Sequence, residues 1–288
     1  MHRSLLTLLL ISMTLLLPAC SAIRLGYGNA DSLARWWIDQ YLDLSPEQDA
    51  LARERLPRLM VWHRKTQLPD YAAVLAQARS LAIGKPSAAD GLALTDAIIR
   101  RVRRLADQAI PDAADLLLTL TPAQTERMAA RMSDKNISFA KEARLAEGEA
   151  GQRKARFKRL LERAEYWYGG FSDGQEAAIR QLIDARPSGA QFWYEERLRR
   201  QSELLDLARK VQAEKPSRER VIALLRDYAD RFDIPSEPSR RAMALALRQE
   251  SSELAAAIQA LTTPAQREHA RTKFDDLIRE IGELAQEA

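Results

Sequence analysis

The residues able to perform metal or nucleophilic chemistry are few in this chain. Cys20 is the only cysteine, and His63 and His269 are the only histidines beyond residue 19. One thiol cannot form an internal disulfide, and two isolated histidines cannot provide a zinc site or a histidine base held by an acid. Met60 and Gln266 stand three residues before the histidines, so the Glu-x-x-His pairs of di-iron bundles are missing. We therefore expect no metal, no cofactor, and packing or surface roles for both histidines.

Cys20 follows a segment with the features of an export signal. A short basic start, Met1 to Arg3, precedes an apolar run from Leu5 to Leu17. About 20 apolar residues are needed to cross a bilayer, so this run is short for a membrane span. Its order of charged start, apolar middle and small-residue end is typical of a secretory signal. We predict that residues 1–19 are a signal peptide.

The end of this segment, Leu17-Pro18-Ala19-Cys20, resembles the lipobox of bacterial lipoproteins. The resemblance implies that the Cys20 thiol carries acyl chains such as palmitate and begins the mature protein. Two or more chains hold a protein stably in a membrane, at about 0.8 kcal/mol per buried methylene. Ser21 implies transfer to the outer membrane, with the protein facing the periplasm. An ordinary signal peptide followed by an unmodified cysteine is the alternative.

Charged residues are numerous and nearly balanced. The chain has 44 basic and 40 acidic residues, a net charge of +4 and a pI of about 9.2. A nucleic-acid footprint needs basic groups gathered on one face, and this small excess does not indicate one. We predict no nucleic-acid partner.

Composition and periodicity predict helices from end to end. Alanine, leucine, arginine, glutamate and glutamine dominate, and no segment alternates like a half-buried strand. Apolar residues recur at intervals of three and four, for example in the stripe Leu92, Thr95, Ile98, Ile99, Val102 and Leu105. Glycine and proline breaks lie at residues 84–86, 169–170, 187–189, 215–217 and 233–235.

These patterns predict an all-α fold, a multi-helix bundle of about nine helices. We expect a short tether at residues 20–29 and a single continuous helical domain at residues 30–288. Two lobes meeting near Gly169 are the alternative arrangement of that domain.

One local pattern occurs four times. Ser or Thr stands three residues before Gln, and three of the four copies have Pro directly after the Ser or Thr. This is a capping box, in which the hydroxyl and the glutamine each accept a hydrogen bond from an otherwise unpaired amide. We predict a helix start at each pair. The pairs are Ser45–Gln48, Thr121–Gln124, Ser172–Gln175 and Thr263–Gln266.

Two family resemblances follow from these residues. The Leu-Thr-x-x-Gln pattern resembles the motif of the Spy and CpxP periplasmic stress chaperones, whose helical hairpins form a cradle for unfolded clients. Residues 27–44, with the pair Trp36-Trp37, and residues 62–71, with the turn Leu68-Pro69-Asp70-Tyr71, resemble an uncharacterised family of proteobacterial lipoproteins. The second resemblance implies a lipoprotein with a domain of unknown function and supplies no activity.

Trp36, Trp37 and Tyr41 lie shortly after the predicted lipid. Aromatic rings with one polar edge are favoured at a membrane interface, and they are also large anchors of protein cores. Because Leu33, Trp37 and Tyr41 share a face at helical spacing, we expect this face to pack into the core. Contact with the membrane interface is the alternative.

Two runs of three aromatic residues occur at residues 166–168 and 192–194. Adjacent residues on a helix cannot all point the same way, so we expect at least one ring of each run at the surface. Such rings would suit a groove for sugar or peptide. Packing between helices is the interpretation that we favour.

The pattern of basic and apolar residues at positions 152–163 predicts a basic amphipathic helix. Such helices bind anionic surfaces, which here would be phospholipid headgroups or lipopolysaccharide phosphates. A solvated helix that packs on the domain is the alternative. The candidate surface-binding residues are Arg153, Lys154, Arg156, Lys158 and Arg159.

Glu250-Ser251 resembles the Glu-Ser pair of lytic transglycosylases, in which one glutamate acts as acid and base on peptidoglycan. The glycine-rich motif that accompanies this pair in those enzymes is missing here. The other acidic residues are spread among arginines at distances typical of surface ion pairs. We therefore expect no catalytic residues and no enzymatic activity.

Together these patterns predict an outer-membrane-anchored periplasmic lipoprotein, attached through lipid on Cys20. We expect it to act as a binding, scaffold or chaperone-like protein of the envelope. Its expected partners are the membrane and either an envelope protein or an anionic lipid such as lipopolysaccharide. An envelope enzyme that acts on peptidoglycan through carboxylates is the alternative.

Overall fold

Polar caps and left-handed residues divide the chain into helices. The computed structural model describes residues 20–287, and within them it has twelve α-helices, one 3-10 turn at Leu145–Glu147 and no strand. The helices are α1 Cys20–Gly28, α2 Ala30–Leu42, α3 Pro46–Thr66, α4 Leu68–Ile83, α5 Ala88–Leu118, α6 Pro122–Glu142, α7 Gly148–Tyr168, α8 Asp173–Asp184, α9 Ala190–Glu214, α10 Arg218–Asp230, α11 Pro238–Ala260 and α12 Pro264–Gln286.

The predicted all-α fold and single domain are confirmed, but the predicted number of about nine helices is wrong. Three breaks, at Asn29, Gln67 and Arg144, lie outside the glycine and proline segments and the Ser/Thr-x-x-Gln boxes from which the number of helices was predicted. At Asn29 the side-chain amide donates to the carbonyl of Leu25 (2.8 Å). At Gln67 the chain bends before Pro69, which has no amide to continue the ladder of α3. Arg144 ends α6 with a left-handed φ of 54°.

Residues 20–28, part of the predicted tether, form α1 in the structure. This helix packs against α2 and α12. Arg24 forms an ion pair with Glu283 of α12, and the Tyr27 hydroxyl contacts Nδ1 of His63 on α3 at 2.8 Å. The predicted signal peptide, residues 1–19, lies outside the described residues.

All four predicted capping boxes are confirmed. In each, the Ser or Thr hydroxyl accepts from the backbone amide of the glutamine, and the glutamine side chain accepts from the amide of the cap residue. A fifth box, Ser87–Asp90, begins α5 and was missed because its acceptor is an aspartate. Each cap satisfies amides that the first turn of a helix leaves unpaired.

The box glutamines also pair with each other across the fold. Gln48 and Gln124 donate to each other's side-chain oxygens, at 3.1 and 2.6 Å. Each also donates across to the carbonyl that lies two residues before the other's cap: Gln48 to Thr119 (3.1 Å) and Gln124 to Asp43 (3.2 Å). The starts of α3 and α6 are thereby joined.

Gln175 and Gln266 repeat this arrangement at the starts of α8 and α12. Gln175 donates to Leu261 O and Gln266 donates to Gly170 O, both at 2.8 Å. The two amides also donate to each other, at 2.8 and 3.4 Å. The structure therefore contains two similar joints, each between helices distant in sequence.

Each joint lies beside its own cluster of buried apolar side chains. The first cluster combines α2, α5, α6, α9 and α10 around Ala114 and Val221. The second combines α7, α8 and α11 around Ile179 and Leu254. Two connections unite them: α5 packs against both α10 and α11, and α4 packs along α12. Elements before and after Gly169 therefore share one domain.

Candidate functional site

Two large clefts lie between the described helices. Cleft I has a volume of about 710 Å³ and is lined by α2, α3, α5, α6, α9, α10 and Phe232. Cleft II has a volume of about 780 Å³ and is lined by α4, α5, α7, α11, α12 and residues 86–87 between α4 and α5. Both volumes lie in the range of pockets that bind small molecules.

Apolar stripes of single helices form the walls of both clefts. On α3, residues Leu51, Ala52, Leu56 and Leu59 face cleft I at helical spacing. In a globular protein such a stripe is normally covered by a neighbouring helix. Here the neighbouring helices leave a gap above it, so the apolar wall stays open to a ligand.

Cleft II explains an exposed stripe on α5. Ile98 and Val102 belong to the apolar stripe recognised in the sequence, yet they are 48% and 62% exposed because they line this cleft. The opposite wall is aromatic: Trp167 stacks on Phe274, with ring centroids 4.2 Å apart. The Tyr168 hydroxyl donates to the carbonyl of Ala82 (3.3 Å) and holds α7 against α4.

Arginines provide nearly all the charge inside the clefts. Cleft I is lined by Arg55, Arg197 and Arg200 with a single carboxylate, that of Asp112. Cleft II is lined by Arg101 and Arg163 with no acidic residue among its described lining. Both linings therefore have a net positive formal charge on a mainly apolar surface.

The face of α2 predicted to lie in the core is largely exposed, and that prediction is wrong. Of this face, Leu33 is 53% exposed and Trp37 is 58% exposed; the adjacent Trp36, which is not part of the face, is 58% exposed as well. Only Tyr41 of this face packs against a buried cluster. The helix is anchored instead through Ile38 and Leu42, and none of the helices among residues 20–287 buries its other side. The Trp37 ring contacts the Tyr41 ring with centroids 4.7 Å apart and an interplanar angle of 44°, and it lines cleft I.

The aromatic runs divide between surface and packing. Tyr166 is 58% exposed, as expected for one ring of its run, while Trp167 and Tyr168 line cleft II. In the second run all three rings are half-buried, so the expected surface ring is absent from the described structure there. Tyr194 stacks on Phe139 with ring centroids 5.9 Å apart.

The five basic residues predicted to form a binding surface on α7 are not equivalent. Lys154, Lys158 and Arg159 are exposed. Arg153 is half-buried, and its Nε donates to the carbonyl of Arg186 (3.0 Å). Three exposed cations remain available to an anionic surface, and that role stays a prediction.

Arg156, the fifth of these residues, is buried and paired. One of its guanidinium nitrogens donates to both carboxylate oxygens of Glu250, at 3.0 and 2.8 Å, and another donates to Pro187 O (2.7 Å). Arg186 lies 3.4 Å from the same carboxylate. The Glu250 carboxylate is therefore a structural link between α7 and α11, held by two guanidinium groups.

His63 lies in a polar network that the sequence did not reveal. Its Nδ1 contacts the Tyr27 hydroxyl at 2.8 Å and its Nε2 contacts the Tyr71 hydroxyl at 3.2 Å. Burial lowers the pKa of the His63 imidazole and so favours its neutral form. The predicted packing role is confirmed for His63, and the predicted surface role is confirmed for His269, which is exposed.

The described part of the chain has neither a cluster of metal ligands nor a membrane-spanning helix. Residues 20–287 contain no group of three or more His, Cys, Asp or Glu side chains placed to hold a metal ion. None of the helices α1–α12 combines the length and apolarity of a membrane span.

Comparison with known proteins places the chain in a family. The model of a family of unknown function, DUF6279, matches residues 40–230. The match begins after the Trp36-Trp37 pair and encloses most of cleft I. Comparisons with curated proteins and with solved structures give no match. Because the matched residues are more than half of the chain, the protein belongs to the family of unknown function DUF6279.

Proposed function

We propose that the protein is a lipid-anchored, non-catalytic binding protein of the bacterial outer membrane that faces the periplasm. In this proposal Cys20 carries the lipid, and clefts I and II take up apolar parts of other envelope molecules. The action is that of a scaffold or chaperone, because a ligand is held and not transformed.

The observation that carries the proposal is the pair of open apolar clefts. Large apolar side chains are normally buried because each contributes about 1.5–3 kcal/mol when removed from water. Ile98 and Val102 on α5 forgo much of that stabilisation, since they face a cleft that no other part of the described chain fills. Extended exposed apolar surface is typical of interaction sites.

The position of the exposed residues next to Cys20 supports a membrane location. Leu25 on α1 is 71% exposed, and Leu33, Trp36 and Trp37 on α2 are exposed as well. All four follow Cys20 by fewer than twenty residues. Tryptophan is favoured where a surface meets the headgroup region of a bilayer. A domain held by lipid on Cys20 would bring these side chains to that region.

Aggregation assays test the binding function. Full-length protein is expected to keep an unfolded apolar polypeptide in solution. Ala113→Trp and Ala255→Trp, whose exposed side chains line clefts I and II, should each weaken this activity by filling one cleft. A double variant that protects the polypeptide as well as the unaltered protein would refute cleft binding.

A cleared band in a peptidoglycan zymogram would favour the enzymatic alternative.

Fractionation tests the anchor. Cys20→Ser is expected to move the protein from the membrane fraction to the soluble periplasmic fraction, because the acyl chains are the principal membrane attachment in this proposal. Retention of the variant in the membrane after a high-salt wash would contradict a lipid anchor. Circular dichroism should show the same helix content for both proteins.

A further inference from the structure

Two arginines in cleft I have no acidic partner. Among the described residues, neither Arg197 nor Arg200 forms an ion pair, whereas the third arginine of the cleft, Arg55, lies 3.3 Å from Asp112. The single carboxylate of the lining is therefore already engaged. Two positive charges on α9 therefore line the cleft without an ion-pair partner, and the nearest carboxylates that act on Arg200, those of Glu196 and Asp233, are not part of the cleft lining.

Neutral acceptors hold these two arginines in place. Arg197 Nε donates to Asn136 Oδ1 (2.6 Å), and Asn136 is itself buried and bonded to Gln201 (2.6 Å). Arg200 donates to two backbone carbonyls, those of Glu196 and Phe232, both at 3.1 Å. Contacts of this kind orient a guanidinium group but leave its charge unneutralised, so each remains able to bind an anion.

The surroundings of Arg200 make an anion favourable there. Burial lowers the pKa of its guanidinium group, because a charge removed from water is destabilised. An anion placed beside this charge would relieve that cost. Arg55 also lines the cleft, and its buried Nε has no hydrogen bond, with the Glu54 carboxylate 3.6 Å away.

The rest of cleft I is suited to a hydrocarbon chain. Leu56 and Leu59 of α3, Leu116 of α5 and Met132 of α6 contribute flexible aliphatic side chains to its walls. Methionine adapts to ligands of varied shape. Trp37 lines the same cleft and belongs to the exposed face of α2, so the apolar wall reaches the surface that the proposed anchor brings to the membrane.

We propose, building on the binding function above, that cleft I binds a long-chain fatty acid, with its carboxylate between Arg197 and Arg200 and its chain along α3, α5 and α6. The two arginines are half-buried within the apolar wall, so an anion that reaches them must enter the cleft. A fatty acid fits this arrangement because its charge is a small carboxylate at the very end of an apolar chain. A bulky headgroup would need the charges to lie outside the cleft.

Displacement of a fluorescent fatty acid tests this ligand. The chain from residue 20 onward with Cys20→Ser, which contains all twelve described helices, is titrated with palmitate, hexadecanol and palmitoyl-lysophosphatidylglycerol below their micelle concentrations. Palmitate should displace the probe at about tenfold lower concentration than hexadecanol, because charge-assisted hydrogen bonds form with the carboxylate alone. Palmitate should also displace the probe at a lower concentration than the lysophospholipid does.

Matched variants locate the binding. Arg197→Gln with Arg200→Gln should reduce the preference for palmitate over hexadecanol to about twofold or less, whereas Lys210→Gln, an exposed position on the same helix, should leave it unchanged. Ala113→Trp in cleft I should abolish displacement. Ala255→Trp is the control in cleft II and should have no effect. Thermal unfolding of each variant monitors the fold.

Three outcomes would overturn the inference: equal binding of palmitate and hexadecanol, stronger binding of the lysophospholipid, or full binding after Ala113→Trp. The broader function is tested separately in the same samples with an unfolded apolar polypeptide. If that polypeptide binds and palmitate does not, the fatty-acid ligand is wrong and the binding function stands. If neither binds, both proposals fall.

Discussion

At the scale of single residues, burial separates structural charges from available ones. Arg156 and Lys158 are two positions apart on α7, yet the Arg156 side chain is 10% exposed and the Lys158 side chain is 77% exposed. The sequence places both in one basic helix. Glu250 of α11 and the carbonyl of Pro187, both distant in sequence, pair with Arg156 and hold it away from the surface.

Removing Arg156 tests its structural role. Arg156→Ala should lower the free energy of unfolding by about 3 kcal/mol, because the largely buried Glu250 carboxylate loses its hydrogen-bonded partner. Lys158→Ala, the matched control, should change it by about 0.5 kcal/mol or less. Urea denaturation of the two variants measures the difference. Equal stabilities would mean that Arg186 alone compensates Glu250.

His63 predicts a pH dependence of stability. Its folded-state pKa lies below the ordinary value of 6.5, so the unfolded chain binds a proton more readily. Stability should therefore fall as pH decreases through about 6.5, and this loss should level off below the folded-state pKa. In His63→Gln the decline between about pH 7.5 and 5.5 should be smaller. Denaturation at several pH values measures both slopes, and identical slopes would contradict the prediction.

At the scale of helices, the capping boxes do two things. Within a helix each box satisfies the first unpaired amides, which is a local effect. Between helices the same glutamines form the two joints, Gln48–Gln124 and Gln175–Gln266. A residue chosen for a helix start therefore also sets where two distant helices meet.

The joint should make one box residue more costly to remove than another. Gln124→Ala should destabilise by about 2 kcal/mol, because Gln48 and the Asp43 carbonyl lose a buried partner. Asp90→Ala removes the equivalent residue of the isolated Ser87 box, and Thr121→Ala removes a cap hydroxyl. Each of these two substitutions should lower the free energy of unfolding by about 1 kcal/mol. Thermal unfolding ranks the three variants by stability. Equal destabilisation by Gln124→Ala and Asp90→Ala would show that the joint does not contribute to stability.

At the scale of the whole molecule, exposed cations on α7 and exposed apolar residues on α1 and α2 are both candidates for membrane contact. The cations Lys154, Lys158 and Arg159 act through screened charge, with a Debye length near 8 Å at physiological ionic strength. The apolar residues act through burial and are insensitive to salt. Salt dependence therefore distinguishes the two surfaces.

Vesicle binding measures the contribution of the cations. The protein without its lipid should bind acidic vesicles at low salt and release them as salt rises. Reversing Lys154, Lys158 and Arg159 to Glu should remove most of this binding without unfolding the protein, since exposed charges contribute little to stability. Arg156 is kept because it is buried. Binding that persists in the triple variant would assign it to another surface.

The sequence by itself determined the helical class and the capped helix starts. These features depend on periodicity and on hydrogen bonds between residues a few positions apart, so they are legible in a short window. It did not reveal the helix ends at Asn29, Gln67 and Arg144. No Ser/Thr-x-x-Gln box marks these breaks, and Pro69 near Gln67 occupies the first turn of α4, a position that proline also takes without a preceding break signal.

Only the tertiary structure decided which apolar stripes are covered. Trp37 and Val102 have the spacing of core residues and are exposed, whereas Arg156 has the spacing of a surface residue and is buried. Spacing defines the face of a helix on which a residue lies, but helices distant in the chain determine whether that face is covered. The clefts, the buried ion pair and the unpaired Arg197 and Arg200 all arise where such helices meet or leave a gap.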